Sequence, residues 1–334
     1  MPDRRSRVGV RGAAGAPHGE APHEARGALE RLEAELASLG SACVAFSGGV
    51  DSSLVLAAAA RALGADRVVA FTAVSATYLP EELQTARDLA AGLGVRHVVV
   101  DTHELDDPAF TGNPRERCYF CKRELVAEMA RVAVATGCAA LLDGANVDDL
   151  GDHRPGMRAT AEGGVAHPLL AAGLGKDEVR RLSKELGLAT WDAPQQACLA
   201  SRIPYGEPIT VQKLEAIAAA ERVLHELGFR QCRVRRHGSV ARLEVESGDL
   251  GRALAARETL ARRLRALGFT YATLDLEGFR SGSMNEAPVA EAPAAAEPAD
   301  RAPAAGAPGR GAACAGPACA GPACAGPASA GPAA

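Results

Sequence analysis

Short apolar runs alternate with longer amphipathic stretches over the first half of the chain. SACVAF (41–46), DRVVAF (66–71), VRHVVVD (95–101) and CAALLD (138–143) are short and bounded by turn residues, so they read as strands. Between them, the segments near 26–39, 52–63, 80–92 and 120–136 read as helices. This βα rhythm predicts an α/β fold with a doubly wound parallel sheet. Ligands of such sheets sit outside the carboxyl ends of the strands. Residues 47–53, Thr72 to Thr77 and Asp143 to Asp149 would all fall there and converge on one crevice. After a connecting region with a helix at 176–187, the pattern changes to helix 210–228, strand 231–237, strand 240–246, helix 249–267 and strand 270–276. That order predicts a smaller C-terminal α+β domain at 205–282, following a larger domain at 25–204.

The two ends read differently. Residues 1–24 are rich in Gly, Ala, Pro and Arg without periodicity and predict a disordered leader. Residues 283–334 turn to Ala, Pro and Gly and close on the repeat ACAGPACAGPACAGPASAGP, which predicts a disordered tail. Cys314, Cys319 and Cys324 recur there at regular spacing. Repeat expansion explains them better than metal binding, because no fold holds them in place.

At 334 residues the chain has room for two domains. A formal net charge of -4 supplies no global basic field, which argues against a dedicated nucleic-acid partner. The absence of a long apolar run or a hydrophobic signal core argues against a membrane and for a cytoplasmic protein. In that reducing compartment nine cysteines read as thiols, metal ligands or catalysts rather than a disulfide framework.

The stretch SACVAFSGGVDSS (41–53) carries the clearest chemistry: a strand runs into a glycine-bearing turn and then a helix. Gly48 and Gly49 let backbone N–H groups approach an anion, and the helix dipole favours phosphate there. Ser47, Ser52 and Ser53 add hydroxyls, and Val50 and Asp51 complete the loop. The lysine of a Walker motif is missing, so the loop is not built for simple γ-phosphate hydrolysis. SGGVDSS resembles the PP-loop of the ATP pyrophosphatases. The resemblance implies an adenine nucleotide α-hydrolase-like fold that cleaves ATP to AMP and pyrophosphate while adenylating a substrate oxygen. Thr72, Gly144 and Asn146 are candidates for the same nucleotide from the neighbouring loops, and Mg2+ would bridge the phosphates.

Cys118 and Cys121 form a CxxC in NPRERCYFCKREL, at a loop-to-helix junction that suits a shared metal or cluster. A redox pair or two buried thiols fit the same spacing. Cys198 stands in QQACLASRIPYG beside Arg202, whose charge is expected to lower the thiol pKa; a buried structural cysteine fits equally. Cys43, Cys138 and Cys232 read as core or incidental. Arginine forks suit phosphate and carboxylates, which makes Arg202, Arg233 and Arg235 candidates. Arg233 and Arg235 alternate along a strand and so share a face, although a solvated basic strand would look the same. Glu221 either orients that region, binds metal or lies on an exposed helix face. His153, His167 and His237 are scattered, and none is assigned a catalytic role.

Taken together, SGGVDSS (47–53), NPRERCYFCK (113–122), GANVDDLGDHRPGMRA (144–159), HPLL (167–170) and ACLASRIPYG (197–206) resemble the LarE family, ATP-dependent sulfurtransferases of nickel-pincer cofactor biosynthesis. The resemblance covers about residues 26–282 with the motifs in order. It implies a small-molecule substrate, pyridinium-3,5-biscarboxylic acid mononucleotide, whose carboxylates are adenylated and then converted to thiocarboxylates. Cys198 matches the family's nucleophile and sulfur donor. In one version of the family that cysteine gives up its own sulfur. In the other, three cysteines hold a [4Fe-4S] cluster that carries an exogenous sulfide. Cys118, Cys121 and Cys198 resemble the second version, with Cys198 then a ligand. The family also implies a homo-oligomer. A PP-loop tRNA thiolation enzyme, an amidating synthetase and a noncatalytic nucleotide-binding regulator are the alternatives.

Overall fold

Strands β1 (Ala42–Ala45), β2 (Val68–Val74), β3 (Arg96–Asp101), β4 (Ala140–Leu142) and β5 (Val165–Ala166) are parallel and lie in the order β3-β2-β1-β4-β5. The computed structural model describes residues 22–151, 155–195, 197–280 and 282. Leader residues 1–21, His153 and the tail, including Cys314, Cys319 and Cys324, lie outside the described residues. The doubly wound parallel sheet expected from the apolar runs is present. Its fifth strand has only two residues, too few to leave a periodic signal.

The strand order reverses between β1 and β4, so the switch point of the sheet opens at their carboxyl ends. The helices in this part are α1 (Pro22–Ala37), α2 (Val50–Leu63), α3 (Pro80–Gly92), α4 (Pro108–Thr111), α5 (Arg117–Thr136), α6 (Pro155–Glu162), α7 (Pro168–Ala171) and α8 (Lys176–Glu185). Helix α1 takes in residues 22–24, which were expected to belong to the leader. Alternation along β1 decides which helices cover which face. Ala42 and Val44 enter a core with Leu32, Leu36, Leu54 and Leu182 from α1, α2 and α8, whereas Cys43 packs with Phe71, Met129 and Ala133 on the α5 side. Burial pushes the Cys43 thiol up to about 12, with Cys138 adding to the shift, so Cys43 is an inert core thiol.

The remaining elements are α9 (Val211–Glu226), β6 (Cys232–His237), β7 (Val240–Val245), α10 (Leu250–Ala255), α11 (Arg257–Ala266) and β8 (Tyr271–Leu274). Strand β7 pairs antiparallel with β6 and parallel with β8. The single helix expected over 249–267 is two helices meeting at Ala256. Cys232 and Val234 enter the core of this smaller sheet with Leu224, Phe229 and Leu264. A separate apolar cluster of Phe110, Leu199, Ile203, Leu214 and Ile217, with Cys121 against it, joins the α4–α5 region to α9 and the turn Leu199–Arg202. That seam fixes where the Cys198 segment sits. Among the described residues no helix is long and apolar enough to cross a membrane.

Candidate functional site

The loop after β1 is built by its own side chains. Ser52 Oγ donates to the Gly49 carbonyl (3.2 Å) and accepts from the Ser47 N–H (3.3 Å), while Gly49 N–H donates to Ser47 Oγ (3.3 Å). The Tyr78 hydroxyl donates to the Ser47 carbonyl at 2.6 Å. Gly48 has φ 76, and a Cβ there would lie 3.2 Å from Ala86 Cβ. Only glycine takes this backbone and this contact without strain. Val50 is buried in the core, and Ser53 is fully buried with a hydroxyl that has no partner among the described residues. The N-terminus of α2 points its free N–H groups at the loop, an arrangement suited to phosphate.

Asp51, at the start of α2, is gripped from two sides. Asn146 Nδ2 donates to Asp51 Oδ1 at 3.1 Å, and Lys176 Nζ forms an ion pair with Asp51 Oδ2. Lys176 N–H also donates to Asp148 Oδ2 at 2.6 Å, which ties the start of α8 to the loop after β4. Gly144 is needed for close approach: a Cβ there would lie 2.8 Å from Ser52 N and 3.1 Å from the Asp51 carbonyl carbon. The structure thus brings Gly144, Asn146 and the SGGVDSS loop together. Lys176 places a cation beside a loop that lacks a lysine of its own. Sequence reading missed it, since its partner is 125 residues away and no local motif marks the pair. Thr72 is at the same end of the sheet but turned inward, with its hydroxyl donating to the Phe46 carbonyl (2.5 Å) and paired with His97 Nε2 (2.8 Å). It supports the loop from below and presents no donor to the crevice.

Cys118 and Cys121 lie in the first two turns of α5, and Cys198 immediately precedes the turn Leu199–Arg202. The Cys198 segment is anchored by Leu199 N–H donating to the Thr77 carbonyl (3.1 Å). Asn113, with φ 55, directs its amide Nδ2 at the Ile203, Pro204 and Glu207 carbonyls (3.2, 2.7 and 3.0 Å). Its Oδ1 accepts from Arg117 Nη1 (2.9 Å), and that guanidinium stacks on the Tyr205 ring with its carbon 4.5 Å from the centroid. This clamp holds the α5 thiols against the Cys198 segment. Burial pushes the Cys121 thiol up, and the nearby Cys198, Glu104 and Cys118 push it further.

Cys198 keeps exposed surface, yet the protein crowding its sulfur raises its pKa. Cys118 adds to the rise, and Arg117 with the Ala200 and Ser201 N–H groups opposes it. The expectation that Arg202 would leave Cys198 with a lowered pKa is therefore overturned. Desolvation of a thiolate outweighs the cation that faces it. The three thiols act on one another electrostatically, although as placed no three His, Cys, Asp or Glu side chains among the described residues form a metal-binding group. As donors, three cysteines are of the right chemical kind for an iron–sulfur cluster.

Arg202 instead forms a fork with Glu221, Nε to Oε1 at 2.8 Å and Nη2 to Oε2 at 3.1 Å, and its Nη1 donates to the Ala197 carbonyl and Ser201 Oγ. Both partners are buried, so Glu221 is not on an exposed helix face. Arg233 and Arg235 share one face of β6 as expected, but that face is buried against the Cys198 segment rather than solvated. Arg235 pairs with Glu244 (2.6 Å) and donates to the Ser201 carbonyl (2.9 Å). Arg233 differs. It is 5 % exposed, its Nε has no hydrogen-bond partner among the described residues, and its guanidinium makes no ion pair with them, resting 4.6 Å from the Phe279 ring centroid. Burial together with Arg202 and Arg235 pushes its pKa down to about 10. A buried cation held this way is a ready anion site.

His167 follows β5 and Asp143 follows β4, and His167 Nδ1 meets Asp143 Oδ1 at 2.6 Å. A histidine left without a role by the sequence thus stands at the carboxyl end of the sheet. Its partner is 24 residues away, just past the end of the neighbouring strand, so only the sheet pairing reveals the contact.

Comparison with known proteins agrees with this geometry. Residues 28–112 match the Asparagine synthase family profile. An uncharacterised protein of Synechocystis sp. is 44% identical over 259 residues, which is 77% of this chain and 96% of the relative. The pyridinium-3,5-bisthiocarboxylic acid mononucleotide synthase of Lactiplantibacillus plantarum is 39% identical over 255 residues, 76% of this chain and 92% of that enzyme. The chain belongs to the LarE family. The region shared with that enzyme is far longer than the part matched by the Asparagine synthase profile. A glutamine-hydrolysing GMP synthase component from Archaeoglobus fulgidus is similar at 27% identity over 213 residues, 56% of this chain and 65% of that protein. A LarE-family chain thus resembles, over part of its length, an enzyme component of different chemistry.

Proposed function

We propose that this chain is the ATP-dependent sulfurtransferase that adenylates the carboxylates of pyridinium-3,5-biscarboxylic acid mononucleotide and converts them to thiocarboxylates for nickel-pincer cofactor synthesis. The observation that carries the reading is a run of contacts from the Cys198 segment to the PP-loop: Leu199 N–H donates to the Thr77 carbonyl, and the adjoining Tyr78 hydroxyl donates to the Ser47 carbonyl. The 39% identity with the synthase of Lactiplantibacillus plantarum supports it independently.

In this reading the PP-loop N–H groups and Lys176 hold the ATP phosphates, and Asp51 faces Mg2+. Arg233 takes an anionic group of the substrate, while Arg202, Glu221 and Arg235 keep that region in shape. Adenylation converts a carboxylate oxygen into an AMP leaving group, and a sulfur nucleophile then attacks the activated carbonyl. Cys118, Cys121 and Cys198 would hold a [4Fe-4S] cluster, whose chemistry is to carry a sulfide for transfer from a sulfur donor. The division into domains at 204/205, a cytoplasmic location and a homo-oligomer belong to the same proposal.

The test is anaerobic incubation of iron- and sulfide-reconstituted protein with ATP, Mg2+, sulfide and the biscarboxylate mononucleotide, followed by mass spectrometry of product and protein. More than one thiocarboxylate per chain with Cys198 intact supports the cluster. Loss of one sulfur and two hydrogens at Cys198 means a sacrificed cysteine. No thiocarboxylate at all overturns the reading.

A further inference from the structure

We propose that His167, oriented by Asp143, is the general base that takes the proton of the sulfur nucleophile in the transfer step. This rests on the sulfurtransferase reading above. The two side chains hold each other where β4 and β5 end, at 18% and 14% side-chain exposure, so the pair is half-buried yet open at one edge. Asp143 Oδ1 also accepts from the Ala145 N–H at 3.0 Å, which fixes the carboxylate. An imidazole that donates Nδ1–H to that carboxylate has its lone pair on Nε2, and Nε2 has no protein partner among the described residues.

The pair stands beside the nucleotide loop at this sheet end. Gly144, next to Asp143, abuts the Asp51–Ser52 backbone of the nucleotide loop. The Lys122 charge also acts on His167. Lys122 shares a face of α5 with Cys118, and both border Gly156, where a Cβ would lie 3.0 Å from Lys122 Cγ and 3.8 Å from Cys118 Cβ. Asp143 and Lys122 are the charged groups that face the imidazole, one raising and one lowering its pKa, and the hydrogen bond to Asp143 wins.

In the step, the sulfur–carbon bond forms as the carbon–oxygen bond to AMP breaks, and AMP leaves with that electron pair. The proton on sulfur moves to His167 Nε2, giving an imidazolium that Asp143 stabilises. No oxidant or reductant is required. Because the base must be neutral, transfer rises with pH through a histidine pKa that Asp143 holds above the ordinary 6.5.

The experiment compares His167→Gln and Asp143→Asn with the reconstituted wild-type protein, reading thiocarboxylate formation and pyrophosphate release against pH. H167Q should slow thiocarboxylate formation about 100-fold, lower pyrophosphate release much less, and lose the acid-side inflection. D143N should move that inflection to lower pH, and this arm stands even if H167Q fails to fold. Addition of imidazole should restore part of the rate to His167→Ala. An H167Q protein with wild-type rate and inflection, or one that loses both reactions equally, overturns the inference. A wild-type protein that forms pyrophosphate but no thiocarboxylate overturns the functional reading instead, and the inference falls with it.

Discussion

Arg202 and Glu221 meet in a two-pronged ion pair, 2.8 and 3.1 Å long, with side chains only 5% and 2% exposed. The same carboxylate accepts from the Val234 N–H at 3.0 Å, so one residue of α9 braces both the Cys198 segment and β6. Removing it would leave a buried guanidinium unpaired. Glu221→Ala is expected to cost about 3–5 kcal/mol, whereas replacing both partners with apolar residues should cost less than either single change predicts. Urea denaturation of the two singles and the double checks this, and additive losses would count against it.

Glu82 carries a pH dependence of stability. Burial pushes its carboxyl from the ordinary 4.5 up to about 7, with the nearby Arg202 partly offsetting the rise and Glu221 adding to it. The folded state therefore binds a proton that the unfolded state releases more readily. Its stabilising effect is complete below about pH 4.5 and declines as pH rises to about 7, by at most about 3 kcal/mol. Denaturation at pH 5 and pH 8 should show this loss in the wild type and not in Glu82→Gln.

Gly144 separates catalysis from stability. Its missing Cβ makes room for the Asp51–Ser52 backbone, so Gly144→Ala must push the nucleotide loop away. Pyrophosphate release is expected to fall at least about tenfold, since a displacement near 1 Å costs that much or more. Wild-type turnover in G144A would show that the two loops do not work as one site.

Asn113 is the only non-glycine residue with positive φ among the described residues, and its amide ties α5 to three carbonyls of the Cys198 segment. Asn113→Gly keeps the backbone free to adopt that φ and removes the amide. The variant is expected to lose about 2–3 kcal/mol by urea denaturation, because buried carbonyls and Arg117 lose their partner. Stability equal to wild type would assign the asparagine to its backbone alone.

Much of this was legible before the fold. Strands β1 to β4 announce themselves by apolar runs between turn residues, and SGGVDSS by glycines placed between a strand and a helix. Strand β5 and the break at Ala256 were not, because two residues give no period and Ala256 carries no helix-breaking signal. The arginines show the same limit: alternation on β6 correctly put Arg233 and Arg235 on one face, but nothing local said which guanidinium would find a carboxylate.

The sequence by itself determined the α/β class, the nucleotide loop, the cysteine spacing and the family, since each depends on residues close together in the chain or on motifs in order. Tertiary structure alone decided that Lys176 meets Asp51, that His167 meets Asp143, and that Arg233 is a buried arginine with no ion pair among the described residues. It also reversed the sign expected for Cys198. The physical reason is common to all four. Charge pairing and desolvation act through space, over distances of a few ångströms between segments that the chain keeps far apart.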